Sequence, residues 1–244
     1  MTVYRTGKTA ETYGQAVGIL LLDVRLPFIP GDVANASTYG YPVIYKTVPG
    51  LSTAVCLAGA PEFSAAVVKA AQELEAQGVK GISSDCGFML QFQSAVGNAV
   101  RVPACLSSLL QLPFVGRTME PSRPIGVITA DSRNLTMDFL AGAGIKPKNP
   151  VVIRGMQSEP EFEAAVFEEK GTLDSDAITG ETVGVAKKMV EEHPDMGAIV
   201  LECSMLPPYA KAVQEAAGVP VFDFITMIDY MQSGTLRRAY AGSY

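Results

Sequence analysis

Histidine occurs once in 244 residues, at His193, and that scarcity removes several chemistries at once. A zinc centre built from histidines is excluded, as is the usual division of general acid and base between two imidazoles. His193 itself stands in EEHPD at a predicted helix C-terminus, where it reads as a cap or a solvent-facing side chain. Phosphate-binding signatures are missing too. Neither GxxxxGKS/T nor a strand-linked GxGxxG is present, so ATP and dinucleotide cofactors lack their local marks. The four cysteines, Cys56, Cys86, Cys105 and Cys203, show no disulfide-framework spacing and no CxxC, so they read as thiols rather than as a zinc or redox pair.

Basic residues are outnumbered, 19 against 25, for a net charge of -6. The chain offers no global attraction to a polyanion, and nucleic acid is excluded as the expected partner. Long hydrophobic runs are also absent. The N-terminal run Val17 to Leu22 ends at Asp23 and Arg25, too short for a signal core or a bilayer span. The expectation is a soluble, cytoplasmic protein with no membrane partner. What is present is the balance of an ordered enzyme, 48% apolar and 18% charged.

Strand and helix signals alternate along the chain. VGILLLDV, PVIYKTV and VKGISSD read as strands, with the helix PEFSAAVVKAAQELEAQG bounded by Pro61 and Gly78. FMLQFQSAVGNA reads as a helix beyond Cys86, and Val102 to Cys105 as a short strand. The order then repeats: PIGVITAD, PVVIRG, Gly197 to Leu201 and GVPVFDF as strands, with LTMDFLAGAG, SEPEFEAAVFEEK, GETVGVAKKMVEEH and LPPYAKAVQEAAG as helices. GTLDSDAIT reads as a linker.

Simple subtraction exposes a duplication. Gly18, Asp23 and Arg25 match Gly126, Asp131 and Arg133 at an offset of 108, and Asp85-Cys86 matches Glu202-Cys203 at 117. The predicted fold is therefore α/β: two pseudo-symmetric lobes, residues 1–115 and 116–223, with mainly parallel sheets flanked by helices. Sites in such sheets collect beyond the C-terminal strand ends, which places Cys86 and Cys203 across an interlobe cleft.

Taken singly, either cysteine reads as a small buried hydrophobe. Their matched positions point instead to acid-base work. One thiolate removes a proton from a stereogenic carbon, and the opposing thiol returns a proton to the other face. Asp85 and Glu202 oppose thiolate formation if their carboxylates are close and charged. Cys56 and Cys105 lack equivalent placement and read as core or supporting residues.

Through GILLLD, SSDCGFM, GVITADSRNLT and ILECSMLPPYA, nearly the whole chain resembles the aspartate/glutamate/hydantoin racemase superfamily. The resemblance implies a two-lobed fold whose C-terminal segment, 224–244, returns to the first lobe. It implies Cys86 and Cys203 as the catalytic pair, no cofactor and no metal, and a tendency to form homo-oligomers. Where glutamate racemases carry Asn-Thr after the first cysteine, this chain has Gly87 and Phe88. Where they carry Thr-His after the second, it has Ser204 and Met205. These departures point away from a standard glutamate racemase, while Ser204 keeps a hydroxyl.

Further substrate contacts fall after the first strand of each lobe. Arg25 or Arg133 suits a carboxylate, Ser132 and Asn134 a carboxylate or amide oxygen, and Asp23 an ammonium or ring N–H. Equally, these Asp-Arg pairs read as braces of the lobe entrance. The long loop Pro30 to Pro42 stands in order to cover a site. The expected function is cofactor-independent racemisation of an amino acid or a related small carboxylate or hydantoin. The alternatives are a decarboxylase or cis-trans isomerase of a small dicarboxylate, and a non-enzymatic metabolite-binding protein.

Overall fold

A computed structural model describes residue 3 and residues 12–242. The outermost residues of the expected 1–115 lobe and 224–244 segment lie outside that range. Two parallel sheets form the frame. The first has the order β2-β1-β3, from β1 (Val17–Leu21), β2 (Val43–Thr47) and β3 (Gly81–Ser84); the second has β5-β4-β6-β7, from β4 (Ile125–Thr129), β5 (Val151–Gly155), β6 (Ala198–Leu201) and β7 (Val221–Phe222). The central strands VGILL and IGVIT are continuous apolar runs because helices cover both their faces.

The duplication is visible in the register. Leu20 pairs with Ser84 in the first sheet, and Ile128 with Leu201 in the second, at the offsets of 108 and 117. Its energetic basis is a helix laid on a glycine. Helix α1 (Thr53–Ala58) precedes α2 (Ser64–Ala76), which turns Val67, Ala70, Ala71 and Leu74 inward at helical spacing. A Cβ at Gly18 would lie 3.0 Å from the Leu74 side chain. Gly78, at φ 91°, follows the end of α2 in the left-handed region that favours glycine.

The chain continues through α3 (Gln93–Ala99), α4 (Leu112–Arg117), α5 (Met137–Gly142), the single turn α6 (Pro160–Phe162) and the long α7 (Ser175–Glu192). Met189 of α7 covers Gly126 as Leu74 covers Gly18; a Cβ there would lie 2.3 Å from its sulfur. Helix α8 (Ala210–Ala217) and α7 flank the second sheet, and α9 (Phe224–Thr235) closes the chain. Phe224, Met227, Ile228 and Met231 of α9 pack on Ala16, Val17 and Ile19, so this helix lies on the outer face of the first sheet. A continuous core joins Leu20 and Ile82 of the first sheet to Ile125, Val127 and Val200 of the second.

Three local expectations change. FMLQFQSAVGNA is not one helix: Gly87–Phe92 forms a tighter 3-10 turn before α3 begins. SEPEFEAAVFEEK divides into α6 and a π turn, Glu163–Phe167. The linker GTLDSDAIT is shorter than its composition implies. Asp174 caps α7 by accepting from Asp176 and Ala177 N–H, so the helix begins at Ser175. Val102 to Cys105 contributes one parallel bridge, Ile82 to Ala104. No helix among the described residues is long and apolar enough to cross a membrane.

The docking of α9 is open to direct measurement. Phe224 is fully buried against the first sheet, so Phe224→Ala is expected to cost about 3–5 kcal/mol in urea unfolding. A loss under about 1 kcal/mol would show that α9 adds little to the fold.

Candidate active site

The chain beyond β1, β3, β4 and β6 converges on one cavity enclosing about 440 Å³ of space between atoms, its mouth included. Cys86 and Gly87 enter from the first lobe, and Cys203 and Ser204 from the second. The two halves are built alike. Asp85 N–H donates to Leu20 O at 3.0 Å, and Glu202 N–H to Ile128 O at 2.7 Å. Each acid side chain then accepts from the backbone just beyond its lobe's first strand: Asp85 from Leu22 N–H at 2.9 Å, Glu202 from Ala130 N–H at 3.3 Å. Leu22 and Ala130 are again 108 apart. After each cysteine the chain turns the same way, Met89 N–H donating to Cys86 O and Leu206 N–H to Cys203 O.

The lobes touch at their acids. A Cβ on Gly87 would lie 1.9 Å from Glu202 Oε1 and 2.6 Å from Glu202 O, so only glycine allows this approach. Ser204 donates its hydroxyl to Asp85 O, and Ser108 donates to Leu201 O at 2.8 Å. Glu202 Oε2 accepts from Thr129 Oγ1 at 2.7 Å, whereas buried Oε1 has no hydrogen-bond partner among the described residues.

Burial governs the protonation of this centre. It pushes Asp85 and Glu202 up to about 7 against the backbone and hydroxyl donors that pull them down. Cys86 is pushed well above the ordinary thiol range by its hydrogen bond with Cys56, then by burial and the nearby Glu202 and Asp85 carboxyls. Cys203 is pushed up by burial and by Glu202, with Met205 N–H pulling the other way. The resting site is therefore a pair of thiols beside two acids that titrate near neutrality.

Of the residues singled out in the sequence, Cys86, Gly87, Phe88, Cys203 and Ser204 line the cavity. Asp23 and Arg25 do not. Asp23 accepts from Gly50 N–H at 2.9 Å, and Arg25 points to solvent, its side chain 83% exposed. Ser132, Arg133 and Asn134 also stand apart from the lining. Arg133 and Asn134 are taken up by Asp131, with Arg133 Nε 2.8 Å from its Oδ1, while Ser132 Oγ accepts from Gln157 Nε2. Burial raises Asp131, but Arg133 and Asn134 outweigh it and hold the carboxyl below its usual range.

The lining instead takes Leu22, Val24, Leu26 and Phe28 from the loop after β1. Their spacing of two is the signal available in the sequence: an extended segment turns alternate side chains to opposite sides, so Asp23 and Arg25 face away. Cys56 is fully buried in the core and stays out of the lining. Among the described residues, no cluster of three or more His, Cys, Asp or Glu side chains forms a metal site.

No protein-family model matches the chain. A dimethylsulfoniopropionate lyase of Durusdinium sp. clade D is 34% identical over 235 residues, which span 93% of this chain and 77% of that protein. Dimethylsulfoniopropionate lyase 7 of Emiliania huxleyi is 35% identical over 221 residues, spanning 86% of this chain and 64% of that protein. Among solved structures, unliganded arylmalonate decarboxylase superposes with a TM-score of 0.59 at 19% identity, covering 91% of this chain and 94% of its own. Allantoin racemase from Pseudomonas fluorescens gives 0.58 at 16%, covering 93% and 100%. The fold is that of the aspartate/glutamate/hydantoin racemase superfamily.

The raised acids set a pH dependence of stability. Their folded values near 7 lie above unfolded values of about 4, so over that interval the folded chain holds protons that the unfolded chain releases. The stability contributed is full below about pH 4 and is lost as pH rises through about 7. Glu202→Gln removes one of the two groups. Its denaturation midpoint is expected to fall less steeply than wild type between pH 5 and 8, by about 1.4 kcal/mol per unit of the lost shift; an unchanged slope would refute a buried, titrating Glu202.

Proposed function

We infer the reaction from a fixed premise: the chain belongs to the family of the dimethylsulfoniopropionate lyases. In this reading it splits dimethylsulfoniopropionate, or a close β-sulfonio carboxylate, into dimethyl sulfide and acrylate. The observation that carries the reading is the single cavity into which both lobes bring a cysteine from the same point beyond a strand.

A cysteine thiolate takes the proton from the carbon beside the carboxylate. The electron pair of that C–H bond forms the alkene as the bond between the β-carbon and sulfur breaks, and the pair of the broken bond stays on sulfur. The thiolate becomes a thiol, the sulfonium leaves as a neutral sulfide, and the thiol later yields its proton to solvent. Charge disappears at sulfur during this step, so walls such as Leu22, Val24, Leu57 and Val166 favour the product side over the cation. Phe28 and Phe88 supply ring faces for the cation before it leaves.

The lining contains no lysine, arginine or histidine. Donors for the substrate carboxylate are therefore hydroxyls, such as Thr53, and backbone N–H groups at the turns that open at Gly87 and Ser204. A substrate carrying its own positive charge suits such a site, because it enters with no net charge.

Racemisation is the second reading, favoured by the origin of the thiols in opposite lobes. Both reactions begin with removal of the same kind of proton. A β leaving group diverts the intermediate to an alkene, whereas without one the second thiol returns a proton to the other face.

The purified chain is expected to release dimethyl sulfide and acrylate in equal amounts from dimethylsulfoniopropionate, read by headspace gas chromatography and NMR. Cys86→Ser and Cys203→Ser should each lower kcat by about 10²–10⁴-fold. The rate should climb as pH rises toward the thiol range above about 8.5. Absence of both products, with deuterium incorporation and inversion at Cα of an amino acid or hydantoin in D₂O, would replace the lyase reading with the racemase one.

A further inference from the structure

At the end of the second sheet opposite the cysteines, a separate hollow opens among positive charges. It encloses about 310 Å³ of space between atoms, its mouth included, and is lined by Pro113, Gly116 and Arg117 of α4 and by Lys146, Lys148 and Asn149 ahead of β5. Strand β5 begins at Val151, and Ile125 N–H of β4 donates to Pro150 O at 2.8 Å. The hollow therefore borders the N-terminal ends of β4 and β5. The cysteine cavity lies beyond the C-terminal ends of β4 and β6, where Ala130 and Glu202 line it.

Arg117, Lys146 and Lys148 are exposed, and among the described residues none of the three has an ion-pair or hydrogen-bond partner for its side chain. The lining contains no carboxylate. In a chain of net charge -6, three unneutralised cations around one concavity focus a local positive field. Asn149, between them and the core, is 4% exposed. Its Nδ2 donates to Glu120 O and to Arg123 O, both at 2.9 Å, and these two acceptors fix which end of the amide is nitrogen. The other end, Oδ1, faces Gly116, where a Cβ would lie 2.5 Å from it. Oδ1 is buried and accepts no hydrogen bond among the described residues. A buried acceptor without a donor is costly to keep.

We propose that this hollow binds a small phosphate anion that carries an O–H, held by Arg117, Lys146 and Lys148 and donating that O–H to Asn149 Oδ1. Three cations call for an anion of more than one charge, and Asn149 calls for one that can also donate. Inorganic phosphate near neutral pH meets both demands, as does a phosphate monoester with a neighbouring hydroxyl. Sulfate has the charge without the O–H, and a simple carboxylate ion lacks both, so the hollow is not a second seat for the substrate of the cysteine cavity. The phosphodiesters of nucleic acid and of lipid surfaces have no O–H on phosphorus either. Arg117 offers a planar fork to two phosphate oxygens, and the lysines act as point charges. A bound anion would tie α4 to the segment before β5 and stabilise the second lobe without entering the catalytic cleft.

Amide NMR of the full chain, titrated with sodium phosphate at pH 7 and fixed ionic strength, tests this without turnover; a melting temperature alone would not, because phosphate and sulfate both stabilise folded chains by exclusion. Saturable shifts are expected at Gly116, Lys146, Lys148 and the Asn149 side-chain amide, with the amides of Cys86 and Cys203 unmoved. Sulfate should bind about tenfold more weakly, since it leaves Asn149 without a donor. The double variant Lys146→Gln, Lys148→Gln, at two exposed positions, should weaken phosphate about tenfold or more while its spectrum elsewhere stays that of wild type. Glycerol phosphate in place of phosphate separates the two sources: tighter binding assigns the site to an ester, weaker binding to the inorganic ion. Shifts that never saturate, equal titrations in wild type and double variant, or sulfate matching phosphate would each overturn the proposal. So would sedimentation with phosphatidylglycerol vesicles by a chain whose resonances ignore free phosphate, which marks a surface for lipid instead.

Discussion

At the cavity the two lobes meet through the Glu202 carboxyl, set against the bare backbone of Gly87. A charged carboxylate could not be held there cheaply. Burial in a low-dielectric seam costs several kcal/mol unless the charge is paired or neutralised, and no cation lines this cavity. The acid instead titrates near neutrality, as does Asp85 on the other side. Two acids that shed their charge on burial let two thiols sit beside them, because a permanent anion next to each sulfur would suppress thiolate formation altogether. Access, protonation and lobe spacing thus depend on how a carboxyl meets a glycine.

Duplication supplies the frame, and the two halves furnish the cavity with different walls. Gly18 under Leu74 and Gly126 under Met189 seat equivalent helices on equivalent strands. The strand ends then deliver an acid and a cysteine from each half. Beyond that the halves part: α1 brings Thr53 and Leu57 to the cavity wall, whereas the π turn of the second half brings Val166. Removing a proton beside a carboxylate is common to lyase and racemase, and the substrate's leaving group or the second thiol decides which product forms.

Legibility in the sequence tracks the range of the interactions. Strand identity, the two offsets and the placement of Cys86 and Cys203 are readable because continuous apolar strands and repeated residue types are properties of short segments. The loop after β1 is harder to read. Charged Asp23 and Arg25 suggest anchors, yet the alternating Leu22, Val24, Leu26 and Phe28 line the cavity. An extended chain sends neighbours to opposite sides, and which side faces the site depends on where the other lobe lies. Arg133 is similar, its fork matched to Asp131 two residues away rather than to a distant ligand.

The sequence by itself determined an α/β chain of two related halves with a cysteine beyond a strand in each, because periodicity and offset are written in local order. Only the tertiary structure decided that Gly87 admits Glu202, that Gln91 reaches back to the end of α1, and that the cavity is walled by apolar side chains without a cation. Those contacts join segments separated by 30 to more than 100 residues, and no local pattern encodes a distance across the fold. They exist because burying the shared core brings both lobes together, and the chemistry at the seam depends on which side chains that closure leaves facing one another.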